Sequence, residues 1–291
     1  MTIIDGKELS AKIKEEIREK VLKITATGSR PPHLAAVLVG EDPASQVYVR
    51  NKVRACEQVG FTSSLIRRGA ETTEAELLKI VEDLNKNPEI DGFIVQLPLP
   101  EHINEDNITL AIDPSKDVDG FHPVNFGRMI QGLPCFLPAT PYGIMVMLER
   151  YGIETSGKEV VVVGRSNIVG KPMSILLSRK GNPGNATVTL CHSRTKDLAG
   201  HTRRADIIVA AIGRPDFITG DMVKDGVVII DVGINRVEDA GRKRGYRLVG
   251  DVHFDSVAPK SSFITPVPGG VGPMTIVSLM QNTLLAYSKL K

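Results

Sequence analysis

Four apolar runs in the second half of the chain, EVVVVG, TVTLCH, DIIVAAIG and VVIIDVG, recur at roughly regular intervals with helical or loop segments between them. Strands that are apolar throughout are buried on both faces, as in a parallel sheet covered by helices. Parallel neighbours need crossover connections, and the intervening segments are long enough to supply them. The pattern predicts a Rossmann-like, doubly wound α/β domain over residues 140–273, with its sheet left near residue 265.

The first half repeats the alternation. Leu9, Ile13, Ile17 and Val21 recur every fourth residue and predict an amphipathic helix over Lys7–Lys23. HLAAVLVG, SSLIRRG and DGFIVQLPLP read as strands, and TEAELLKIVEDLNKN as a helix. Asp42 and Pro43 suit the N-cap and first position of another helix. Glu101–Pro138 reads as irregular. A first α/β domain is therefore expected over residues 1–139, with a C-terminal helix, 274–291, packing back on it. A formal net charge of +2 argues against an extended nucleic-acid footprint. The N-terminus lacks a signal-peptide core, and no apolar run is long enough to span a bilayer. Cys56, Cys135 and Cys191 are scattered, without metal-ligand spacing, which points to no metal, no disulfide framework and a cytoplasmic setting.

The first strand-to-helix connection of the second domain reads GRSNIVGKP, Gly164–Pro172. It lies where a dinucleotide-binding turn belongs. It departs from GxGxxG, because Ser166 replaces the second glycine and Gly170 comes six residues after Gly164; a merely tight turn is the alternative. NAD-specific domains commonly end the second strand in a carboxylate for the ribose 2′-hydroxyl. Here that strand ends in CHSRT, with Ser193 and Arg194 and no acid, and Arg165 sits at the first turn. A cationic, hydroxyl-rich pocket favours NADP; the other reading leaves both arginines as solvated loop charges. TPVPGGVGPMT, Thr265–Thr275, is a rigid Pro/Gly loop leading into a helix, a place for a polar ligand group or an ordinary loop. In the first domain Tyr48 and Lys52 share one helix face, as a surface pair or as site residues. Gln96 interrupts an apolar strand near its C-terminal end, where parallel sheets place their sites, though a structural amide fits equally. Asp119, taken alone, fits an Asx turn.

Together, YVRNK, VQLPLP, KDVDGFHP, GRSNIVGKP, TVTLCHSRT, DVGIN, GDV and TPVPGGVGPMT closely resemble the motifs of the bifunctional methylenetetrahydrofolate dehydrogenase/methenyltetrahydrofolate cyclohydrolase family. They span both domains in the family's order, from about Ser45 to Thr275. The resemblance implies oxidation of 5,10-methylenetetrahydrofolate by hydride transfer to NADP⁺, then hydrolysis of the methenyl cation to 10-formyltetrahydrofolate. That places the chain in one-carbon metabolism and purine biosynthesis. Proton transfer falls to Lys52, which Gln96 orients and polarises, and the folate's aminobenzoyl ring stacks on Tyr48. Asp119 accepts the pterin's amino and ring N–H edge, while Leu97, Pro266, Gly269 and Gly270 complete the folate contacts. A lysine at its usual pKa of about 10.4 is a poor base at neutrality, so this role requires partial burial or a cationic neighbour. The cofactor residues carry over as Gly164, Arg165, Ser166, Ile168, Ser193 and Ile234. Family members are homodimers paired through the cofactor domain, and a homodimer is expected here.

Three alternatives stand beside this reading. The presence of both Lys52 and Gln96 argues against a dehydrogenase lacking the cyclohydrolase. VQLPLP and TPVPGGVGPMT argue against a shikimate or amino-acid dehydrogenase. A folate- or nucleotide-binding module without turnover is opposed by the intact set Tyr48, Lys52, Gln96 and Asp119.

Overall fold

The computed structural model describes residues 1–242 and 245–289; residues 290 and 291 of the expected terminal helix lie outside this range. Along the chain the first elements are β1 (Thr2–Ile3), α1 (Gly6–Ala26), β2 (His33–Val39), α2 (Pro43–Val59), β3 (Thr62–Arg68), α3 (Glu74–Lys86), β4 (Gly92–Val95), α4 (Glu105–Ala111) and α5 (Pro123–Ile130). Then come α6 (Ala139–Arg150), β5 (Glu159–Val163), α7 (Gly170–Ser178), β6 (Thr187–Cys191), α8 (Leu198–Thr202), β7 (Ile207–Ala210) and β8 (Val227–Asp231). The chain closes with β9 (Asn235–Glu238), β10 (Tyr246–Val249), α9 (Phe254–Val257), β11 (Ser261–Ile264) and α10 (Val271–Lys289). Two compact units result, one of Ala11–Ala139 with Ile276–Lys291, the other of Met1–Ser10 with Thr140–Thr275.

In the first of these units three parallel strands lie in the order β3-β2-β4. Residues Leu34–Val39 of β2 are all buried, which explains their unbroken apolar run. Leu77, Val81 and Leu84 of α3 pack with Val37, Val39, Phe93 and Val95 in one core. Each such side chain contributes about 1.5–3 kcal/mol when taken out of water. Helix α2 starts where Asp42 accepts the Ser45 N–H at 2.7 Å, with Pro43 in the first turn. Helix α3 starts on a reciprocal capping box between Thr73 and Glu76. The segment expected to be irregular, Glu101–Pro138, instead contains α4 and α5. Asn104 Oδ1 accepts the N–H groups of Asp106 and Asn107, and His122 Nδ1 that of Val124. Helices of 7 and 8 residues are too short for their apolar spacing to stand out.

The other unit is a six-stranded sheet, β1-β11-β8-β7-β5-β6, parallel throughout. Without β1, its strands taken in chain order lie 2-1-3-4-5, the flavodoxin-like doubly wound arrangement. The chain leaves β5 for β6 on one side and later returns to β7 on the other. That reversal opens a crevice at the C-terminal ends of these strands. Val161, Val163, Ile208, Ala210, Ile229 and Ile264 share its core. The first ten residues, expected in the folate domain, belong here instead: Thr2 and Ile3 pair with Phe263 and Ile264. A two-residue strand has no alternation to read. The antiparallel hairpin β9–β10 is likewise absent from the sequence reading.

Candidate active site

Lys52 and Gln96 are brought together, although 44 residues apart: Lys52 Nζ donates to Gln96 Oε1 at 3.2 Å. Lys52 lies on α2 and is only 8% exposed, a rare position for a lysine unless its ammonium or amine is held. Gln96 follows the last residue of β4, and its own amide N–H donates to the Leu97 carbonyl at 2.7 Å. With both amide atoms engaged, the Oε1 that faces Lys52 is fixed. Tyr48 sits one turn before Lys52 on the same helix and is 40% exposed, so its ring face is open to a partner.

Asp119 is carried beside β4. Asp117 bridges Phe93 in parallel, which leads the chain along β4 toward its C-terminal end, and Leu97 and Asp119 line one small cavity. The loop is shaped by Asp117, whose carboxylate accepts the N–H groups of Phe121 (3.2 Å) and His122 (2.8 Å) and the Asn125 amide (2.9 Å). Burial pushes the Asp117 carboxyl up to about 6, against the pull of those donors. Among the described residues no donor meets the Asp119 carboxylate. Asn282 of α10 straps the loop, donating to the carbonyls of Val118 (2.8 Å) and Leu137 (2.9 Å). Asn282→Ala is expected to lower stability by about 2 kcal/mol, since two largely buried carbonyls lose their donor. An unchanged urea midpoint would show that the strap carries no load.

Pro266, Gly269 and Gly270 belong to the other unit, where the Pro266 carbonyl accepts the Gly270 N–H at 2.8 Å and the Gly269 carbonyl that of Lys7 at 2.9 Å. The Pro/Gly loop is thus a closed turn directly ahead of α10.

The loops after β5, β6 and β7 enclose a cavity of about 280 Å³. Of the expected cofactor residues, Gly164, Arg165, Ser166 and Ser193 line it. Ile168 and Ile234 do not; both are nearly half exposed, and a Cβ on Gly272 would lie 3.6 Å from Ile234 Cδ1. Gly164 has φ +126°, and a Cβ there would fall 2.0 Å from the Ala211 carbonyl oxygen, so the turn admits only glycine. Ser166 Oγ accepts the N–H groups of Val169 (3.2 Å) and Gly170 (3.3 Å), closing the turn into α7 in place of the missing motif glycine. Sequence reasoning missed the third wall, Ala211, Ile212, Arg214 and Phe217, with the Arg214 guanidinium 4.7 Å over the Phe217 ring. The rule that ligands sit at the C-terminal ends of parallel strands applies to β7 as much as to β5, and could have found it. Two arginines and no carboxylate among the lining residues suit a dinucleotide with an extra phosphate.

Residues 4–119 match the family profile described as tetrahydrofolate dehydrogenase/cyclohydrolase, catalytic domain. Residues 138–291 match that of its NAD(P)-binding domain. "Bifunctional protein FolD" of Bacteroides fragilis is 61% identical over 289 residues, 99% of each chain. Among solved structures, the bifunctional FolD methylenetetrahydrofolate dehydrogenase/cyclohydrolase of Campylobacter jejuni matches with TM-score 0.93 at 49% identity, covering 99% of each chain. The N5,N10-methylenetetrahydrofolate dehydrogenase-cyclohydrolase of Trypanosoma brucei, solved with NADP cofactor and an inhibitor, matches with TM-score 0.93 at 38% identity over 99% of this chain and 98% of that one. With both domains matched in order and a relative this similar over nearly its full length, the chain belongs to the tetrahydrofolate dehydrogenase/cyclohydrolase family.

Proposed function

We propose that this protein oxidises 5,10-methylenetetrahydrofolate to the 5,10-methenyl cation with NADP⁺ and then hydrolyses it to 10-formyltetrahydrofolate. The observation that carries the second activity is the Lys52–Gln96 contact at the end of β4. A dehydrogenase without hydrolysis has no use for a buried lysine aimed by an amide.

When bound, NADP⁺ accepts the hydride, and that step depends on placing two rings face to face more than on any acid or base. The chain's residues supply the placement. Tyr48 stacks on the aminobenzoyl ring, Asp119 accepts two N–H donors of the pterin edge, and Leu97, Pro266, Gly269 and Gly270 complete the folate contacts. For hydrolysis the water oxygen bonds to the methenyl carbon while Lys52, its Nζ held by Gln96, takes one water proton. The carbon–N5 bond then breaks as the remaining hydroxyl proton passes to N5, leaving the formyl group on N10. Gly164 and Ser166 shape the turn for the pyrophosphate and Arg165 and Ser193 meet the 2′-phosphate, while the family resemblance alone supports a cofactor contact for Ile168 and Ile234, which do not line the cavity. Supplied with the methenyl compound and no cofactor, the protein should accelerate 10-formyl production above the spontaneous rate; an unchanged rate defeats the cyclohydrolase half.

NADP⁺ should be preferred over NAD⁺, and Arg165→Ala should raise KM for NADP⁺ by about tenfold or more, the worth of a charge-assisted contact, with little effect on KM for NAD⁺. Equal use of the two cofactors by the wild type would overturn the assignment. The family resemblance alone carries the rest of the proposal: pairing of two copies through the cofactor unit, a cytoplasmic setting and a supply of 10-formyl groups to purine biosynthesis.

A further inference from the structure

The segments DVGIN and GDV contain two buried carboxylates that the chemistry above does not use. Asp251 is 0% exposed and Asp231 4%, and among the described residues no ion pair neutralises either. A buried charge in this state is costly unless donors surround it. The donors found here are almost all backbone. Asp251 Oδ2 accepts the N–H groups of Ile212 (2.6 Å) and Gly213 (2.9 Å), and its Oδ1 accepts those of Arg214 (3.0 Å) and the Asn235 amide (2.9 Å). Three successive N–H groups of one loop thus converge on a single side chain. The same loop forms a wall of the cofactor cavity through Ile212 and Arg214.

Asp251 is itself held. Asp231 accepts the N–H groups of Asp251 (2.9 Å) and Val252 (3.0 Å) on its two oxygens, and that of Gly233 at 2.9 Å. Asp231 N–H donates in turn to Thr265 Oγ1 at 2.7 Å, where the Pro/Gly loop begins. The glycine of GDV is fixed by this packing: a Cβ on Gly250 would lie 1.8 Å from Asp231 Oδ2. A side chain of another type could fill the space at Asp251, but only a carboxylate accepts four N–H donors without presenting one of its own.

We infer that Asp251, seated by Asp231, is a positioning residue for the cofactor, holding the Ile212–Arg214 loop and, through Asn235, the segment that carries Ile234. This rests on the NADP reading above. Asp251→Asn keeps the size of the side chain but turns an amine toward donors, so the loop loses one or two of its three anchors.

The test measures NADPH affinity directly, by fluorescence titration, beside KM for NADP⁺ and cofactor-free hydrolysis of the methenyl compound. For Asp251→Asn a dissociation constant raised about tenfold or more is expected, with hydrolysis within about twofold of wild type. Simple destabilisation would lower both activities in step and leave the affinity of the folded fraction unchanged. Unchanged NADPH affinity in a folded variant overturns the inference. Should Asp251→Asn fail to fold, Asn235→Ala decides: a several-fold weaker NADPH complex with normal hydrolysis supports positioning, and an unchanged one overturns it. A wild type that binds no NADPH would sink the cofactor reading itself, a result distinct from either.

Discussion

Lys52→Met is expected to turn the enzyme into a dehydrogenase that releases its intermediate. The substitution keeps most of the apolar stem in a site only 8% exposed, so α2 and the neighbouring Tyr48 should be undisturbed. What is lost is the amine that Gln96 aims. A positioned acid–base group accounts for roughly 10²–10⁴-fold in rate, and the cyclohydrolase should fall by at least the lower figure. Hydride transfer requires no such group, so oxidation should continue and the methenyl compound should accumulate. The check is the two rates measured separately. Hydrolysis near the wild-type rate removes Lys52 from proton transfer, whereas equal loss of both activities makes it a folate-binding residue.

Asp119→Asn should weaken folate binding by about 2–3 kcal/mol, roughly 30–150-fold, and lower both activities together. An ionised carboxylate can accept two parallel N–H donors, while the amide keeps one acceptor and sets an N–H₂ group against the second donor. The backbone of the loop should not move, because Asp117, Ala139 and Asn282 hold it through other atoms. Calorimetric titration with folate reads the effect without turnover. An unchanged affinity would return Asp119 to the role of a turn residue.

The sequence carried the architecture wherever an element was long or fully buried. The runs at β5, β7 and β8 are apolar because both faces of these strands are buried, and α1 shows its spacing because one stripe of Leu9, Ile13, Ile17 and Val21 is buried. Helices α4 and α5 and strand β1 escaped, since their stability comes from caps and tertiary pairing that leave little periodicity. The site was readable as a set of residue types in order. The pairing of Lys52 with Gln96 was expected from the family resemblance alone, because the residues themselves do not tell where β4 ends beside α2. The wall made by Ile212, Arg214 and Phe217 was hidden for a similar reason: AAIGRPDF has no motif of its own, and takes its shape from N–H groups that converge on Asp251.

Oxidation and hydrolysis can be followed together in a single progress curve. The wild-type protein is mixed with 5,10-methylenetetrahydrofolate and NADP⁺, and the methenyl absorbance is followed beside that of NADPH. NADPH should form while the methenyl absorbance rises and then decays as 10-formyltetrahydrofolate appears. Methenyl absorbance that climbs in step with NADPH and decays no faster than in buffer would contradict a bifunctional enzyme, and no NADPH at all would contradict the dehydrogenase.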